Sequence, residues 1–123
     1  MRYSDISVAI AAEHWQTLVD FYEGLFDEKP STYFDNSYAE FRLERIKVGI
    51  FKPSDDHQPE FPSTKNSSSL CIEVVDLEEA ISTIKSLGGT VSDEIVTASH
   101  GQECYAYDPA QNRIILHCSL VLN

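Results

Sequence analysis

With 123 residues and 42% hydrophobic content, the chain can build one domain with a true core. Nine Lys and Arg against 20 Asp and Glu leave a net charge of -11, a long-range field that excludes nucleic acid and anionic membrane as partners. Cys71, Cys104 and Cys118 form no CxxC or Cys/His zinc spacing. No run resembles a leader's apolar core or a membrane span, so a reducing cytoplasm is the expected location.

In chain order, residues 3–11 alternate, with Ile6, Val8 and Ile10 opposite Ser7, Ala9 and Ala11, as in a strand with two different faces. A helix follows over 14–26, with Trp15, Leu18, Val19, Tyr22 and Leu25 on one stripe. A short strand is expected over 31–34 and a turn at Asp35-Asn36-Ser37. Strands over 38–43 and 46–52 are joined by a reversal at Glu44-Arg45, so the first half reads βαβββ. Residues 52–68 carry three prolines and little apolar content, and they connect the halves.

The second half opens at Ser69. Leu70, Ile72 and Val74 alternate with Cys71, Glu73 and Val75; Asp76 then stands at a helix N-cap with Glu79 three residues on. Leu77, Ala80, Ile81, Ile84 and Leu87 form the helix stripe, and Gly88-Gly89 stops it. A strand over 91–98, a break at Gly101 and a strand over 103–107 come next. A turn over 108–112, with Asn112 suited to the left-handed region, leads to a last strand over 113–120.

An offset of 62 residues lays Ser69 on Ser7, Asp76 on His14 and Ile84 on Tyr22, so the chain reads as a duplicated half. The fold class is α+β, a single domain of two βαβββ modules at about 1–52 and 69–120 with a linker over 53–68. In each module the apolar strand face takes the helix. The other faces, in sheets curved toward each other, line a trough with Ser7, Ala9, Tyr38, Glu40, Arg42, Gly49, Phe51, Ser69, Cys71, Ile115 and His117.

The segments FYEGLF, YAEFRL, KVGIF, LCIEVVDLEEAISTIKSLGG and YAYDPAQNRIILH resemble, in order and spacing, the vicinal oxygen chelate superfamily. That group includes glyoxalase I, bleomycin-resistance proteins and extradiol dioxygenases. The resemblance implies two βαβββ modules, a homodimer, and a metal held by His or Glu in the first and last strands of each module. Carried over, those positions fall on Ser7, Gly49, Ser69 and Ile115. Two hydroxyls, a glycine and an isoleucine do not hold a divalent ion, so no cofactor is expected.

Several residues keep two readings. His117 is a base or donor toward a bound molecule, or a histidine hydrogen-bonded at the trough wall. His100 gates the trough or is a solvated loop residue, and His14 and His57 read as surface. Cys71 could be a nucleophile, but small-residue packing is favoured because an acidic protein offers a thiolate little support. Glu40 and Arg42 orient a polar ligand or simply pair with each other. Tyr38, Phe51 and Tyr105 supply aromatic walls for a planar or cationic guest. The reading favoured is metal-free binding of a small organic molecule, cationic or aromatic. The alternatives are a metal-dependent lyase, isomerase or dioxygenase with ligands relocated to His117, Glu40, Glu73 or His100, and a module whose trough receives another protein.

Overall fold

A computed structural model describes residues 1–2, 4–61, 68–99 and 101–119. The chain divides into two compact units, Met1–Pro62 and Ser63–Asn123, and the division falls inside the proline-rich connector.

In the first unit the alternating stretches become β1 (Val8–Ala11), β2 (Thr32–Phe34), β3 (Tyr38–Arg42) and β4 (Lys47–Phe51), with α1 (Trp15–Phe26) after β1. The sheet is mixed, in the order β1-β4-β3-β2, with β1 parallel to β4 and the remaining pairs antiparallel. Its register puts Val8, Ile10, Ala39, Phe41, Val48 and Ile50 on one face and Ala9, Tyr38, Glu40, Gly49 and Phe51 on the other. The helix stripe is buried except at its end: Trp15, Leu18, Val19 and Tyr22 are each at most 2% exposed, as is Phe21, whereas Leu25 is only half-buried. Burial of such a side chain contributes about 1.5–3 kcal/mol, and a 12-residue helix is marginal in isolation. Packing therefore holds α1, and the Trp15 indole N–H fixes its angle by donating to the Ile50 carbonyl at 2.8 Å. Asp27 closes the helix in the left-handed region.

One expectation fails here. The strand expected over 3–11 begins only at Val8; Ser7 precedes it, and Ile6 is 72% exposed. β4 itself begins at Lys47, so no ladder partner reaches back to Ile6, and Lys47 instead pairs with the carboxylate of Asp5. Residue 3 lies outside the described residues.

The second unit repeats the plan. It contains β5 (Leu70–Glu73), α2 (Leu77–Ser86), β6 (Thr90–Val91), β7 (Val96–Ala98), β8 (Gly101–Tyr107) and β9 (Arg113–Ser119). The sheet order is β5-β9-β8-β6, with β7 also pairing β8 and β5 parallel to β9. The expected cap forms, the Asp76 carboxylate accepting from the Glu79 amide at 3.1 Å. The glycine stop forms too: Gly88 takes φ 95°, and the amides of Gly89 and Gly88 donate to the carbonyls of Ile84 and Lys85. Ile84, Cys104, Ala106, Ile114 and Leu116 fill the core.

Four details differ from expectation. The single strand over 91–98 is two, because the Ser92 hydroxyl accepts from the Glu94 amide and turns the chain out of the ladder. Strand β5 stops at Glu73, leaving Val75 fully exposed. Gly101 opens β8 rather than breaking the sheet. Gln111, not Asn112, takes the left-handed conformation at φ 70°, since the Asn112 amide group donates to Asp108. The end of the last strand at residue 120, and His100, lie outside the described residues. Each half thus sets its first strand parallel to its last, an α+β fold of two βαβββ modules, the second with the strand after its helix split in two. Among the described residues no helix is long and apolar enough to cross a membrane.

Candidate functional site

On the first unit's open face, Glu40 stands opposite Gly49 and Tyr38 opposite Phe51. The Tyr38 ring lies across Gly49: a Cβ added there would sit 2.6 Å from the phenol oxygen and 2.8 Å from the ring. The Tyr38 hydroxyl donates to Glu40 Oε1 at 2.9 Å. Burial first, then the bond to Glu40 and its charge, push the phenol's pKa up, so Tyr38 stays a neutral donor. Arg42 Nη2 lies 3.7 Å from Glu40 Oε2, with the arginine side chain 64% exposed and the glutamate 15%. A pair at that distance and exposure contributes little. From the connector, Phe61 meets Phe51 edge to face at 5.1 Å.

This packing predicts a strong coupling. Gly49→Ala forces the flexible Tyr38 ring off its seat, an overpacking that costs on the order of 1 kcal/mol or more. In a Tyr38→Ala background the same change removes a strand glycine without a clash and should be neutral or stabilising by roughly 0.5–1 kcal/mol. Urea denaturation of the four chains measures the cycle, and additive effects would show that the ring is not seated there.

On the second unit's open face the register sets three cross-strand rows. Ser69, one residue ahead of β5, is joined by a hydrogen bond to Arg113, which pairs with Tyr107; Cys71 lies beside Ile115, which pairs with Tyr105; Glu73 lies beside His117, which pairs with Glu103. Arg113 Nε donates to Ser69 Oγ at 2.7 Å. Cys71 is exposed and Tyr105 is 46% exposed, whereas Cys104 is buried on the helix side. Burial, then the charge of Glu103, push the Cys104 thiol up, which makes it inert. His117 Nδ1 lies 2.6 Å from Glu73 Oε1, and Glu73 Oε2 accepts from the Ser119 amide at 2.8 Å and its hydroxyl at 3.0 Å.

Glu73 is accordingly pulled below the usual carboxylate range, first by the bond to His117, then by the Ser119 amide, against a smaller opposing effect of desolvation. A carboxyl with a lowered folded pKa contributes stability above its unfolded value, and that contribution is lost as pH falls through the folded value. The stability difference between the wild-type chain and Glu73→Gln should therefore be fully present above the ordinary carboxylate range and be lost as pH falls through the lowered folded value. Denaturation midpoints across pH test this, and a difference that widens in acid would refute the assignment.

The residues at the four carried-over metal positions do not fit a divalent ion. Ser7 is exposed ahead of β1, and the space a side chain at 49 would need is filled by Tyr38. Ser69 Oγ holds a guanidinium, whose charge repels a dication, and Ile115 offers no donor atom. Among the described residues no group of three or more His, Cys, Asp or Glu is gathered to hold an ion, which bears on His117, Glu40 and Glu73 as relocated ligands.

Of the expected site residues, Tyr38, Glu40, Arg42 and Phe51 share one face of the first sheet, and Cys71, Tyr105 and His117 share one face of the second, while Ser69, just ahead of β5, meets Arg113 through its hydroxyl. Ser7 stands outside its strand. Arg113 and Glu103 were missed, although counting back two from Ile115 and Tyr105 along the strand alternation finds both. Phe61 sits in a connector with no periodicity, so no sequence signal pointed to it.

Solved structures share the fold at low identity. A hypothetical protein from S. aureus is 12% identical over 96% of this chain and 95% of that one, with a TM-score of 0.77. A protein from Agrobacterium tumefaciens is 19% identical over 98% and 100%, with a TM-score of 0.78. The fosfomycin resistance protein FosX from Listeria monocytogenes is 14% identical over 98% and 97%, with a TM-score of 0.75. No curated protein gives a significant match to this sequence. Residues 6–116 match the family model described as Glyoxalase/Bleomycin resistance protein/Dioxygenase superfamily, and the chain belongs to that superfamily.

Proposed function

We propose that this chain binds a small organic molecule, cationic or aromatic, on the open faces of its sheets without a metal ion. The observation that carries the reading is Tyr38 lying over Gly49 with its hydroxyl on Glu40. A place from which a metal ligand would project holds instead an aromatic wall braced by a carboxylate, and Phe51 and Phe61 extend that wall. Aromatic faces beside a carboxylate suit an organic cation, and the net charge of -11 draws one in. The three cysteines are free, in keeping with a reducing cytoplasm. A homodimer is proposed from the habit of the superfamily, with light scattering as its check.

Thermal melts of the purified chain, with and without chelator and with a panel of cationic and neutral aromatics, test the reading. The expected result is a midpoint indifferent to chelation and raised by some of the panel. A metal retained stoichiometrically, with stability lost on chelation, would replace this reading with a metal-dependent lyase, isomerase or dioxygenase. A panel with no effect at all would remove the binding role.

A further inference from the structure

The second sheet's open face carries a charge gradient along its strands. Arg113 lies at one end of β9 and His117 four residues on, flanked by Glu73 on β5 and Glu103 on β8. At about 3.3 Å per residue the two ends are about 13 Å apart. Between them lie the half-buried Ile115 and the ring of Tyr105, 46% exposed to solvent. Among the described residues of this unit only Lys85, on α2, and Arg113 carry a permanent positive charge. In a chain so acidic, the one cation of the sheet stands on the open face, with its Nε tied to Ser69 Oγ.

We infer that this face selects a bipolar molecule: an oxyanion against Arg113, an aromatic or apolar body over Ile115 and Tyr105, and a protonated amine toward Glu73 and Glu103. The inference rests on the small-molecule reading above and names the ligand class. A guanidinium is planar and matches carboxylate or phosphate oxygens in geometry. Tyr105 offers a flat apolar surface with little entropy to lose on contact. Glu73 cannot swing away from its end, because His117 and two donors of Ser119 hold its carboxylate. A simple cation is met at only one end and repelled at the other, and a simple anion likewise; only a molecule bearing both charges answers both.

Three matched probes separate the ends: 4-(2-aminoethyl)benzoate, its methyl ester and its N-acetyl derivative. Each is titrated at low salt into the full chain, followed by amide chemical-shift changes and by affinity. The expected result is that the unblocked probe binds with shifts on β5, β8 and β9, and that blocking either end weakens it by about tenfold or more, as loss of a charge-assisted contact implies. Arg113→Gln should erase the preference for the acid over the ester, Arg113→Lys should keep part of it, and Glu103→Gln should erase the preference for the amine over its N-acetyl form. Because the probe series runs on the wild-type chain, the outcome does not depend on the variants folding. Blocked probes binding this face as tightly as the unblocked one would overturn the inference and leave the small-molecule reading standing. Failure of these probes and of neutral aromatics to shift any amide on either sheet would end both.

Discussion

Gly101→Ala should cost about 3 kcal/mol or more, a loss large enough to leave a small domain partly unfolded. A Cβ at this position would stand 2.2 Å from the carbonyl oxygen of Cys118 and 3.0 Å from the Cα of Ser119. Both are backbone atoms of the neighbouring strand, so no side chain can rotate aside to make room. Gly101 also takes φ 140°, a conformation that residues with a Cβ rarely adopt. The clash is relieved only by parting the ends of β8 and β9. That loss spreads, because the Ser119 amide and hydroxyl hold Glu73, and Glu73 in turn holds His117. The denaturation midpoint should fall and the imidazole resonances of His117 should move in the folded remnant. A variant within 1 kcal/mol of wild type would mean that the strand end has room that the geometry denies.

Gly101 also marks where sequence reading stops. A glycine between two strands reads as a break, because glycine is common in turns. Its actual reason is a close approach by a strand that begins 12 residues later, which no local pattern encodes. What is legible is local or periodic. The Asp76 cap, the Gly88-Gly89 stop and the two faces of β3, β4 and β9 each follow from residues at most four apart, and each stands as expected. Ile6 shows the limit of periodicity: its alternation with Val8 and Ile10 is sound, but alternation cannot tell where the partner strand ends. At the candidate site the same rule holds. Alternation puts Cys71, Tyr105 and His117 on one face, while the seating of Tyr38 over Gly49 and the bond from Arg113 to Ser69 depend on side-chain reach. The aromatic contact of Phe61 arrives from a connector, where contact order and not pattern decides.

Asp108→Ala should be the other large loss, on the order of 2–4 kcal/mol, since three donors lose their acceptor at once. The Asp108 side chain is fully buried. Its Oδ1 accepts from the amides of Ala110 and Asn112, and its Oδ2 from the Asn112 side-chain amide, each at 2.9 Å. Each abandoned donor costs about 1–3 kcal/mol when dry. Ala110 and Asn112 are only half-buried, so water replaces part of the loss, which sets the lower bound. Asp108→Asn should fall between, because one carbonyl oxygen can still accept from the backbone while its NH2 group faces that of Asn112. The carboxylate does more than add bonds. It holds the chain through the left-handed Gln111, and this turn sets which residue of β9 faces which of β8. Arg113 pairs with Tyr107 and His117 with Glu103 only in that register. Hydrogen exchange should therefore show the β8 and β9 amides losing protection together in Asp108→Ala, with Asp108→Asn intermediate. Loss confined to the amides of 109–112 would show that the strands keep their alignment without the turn.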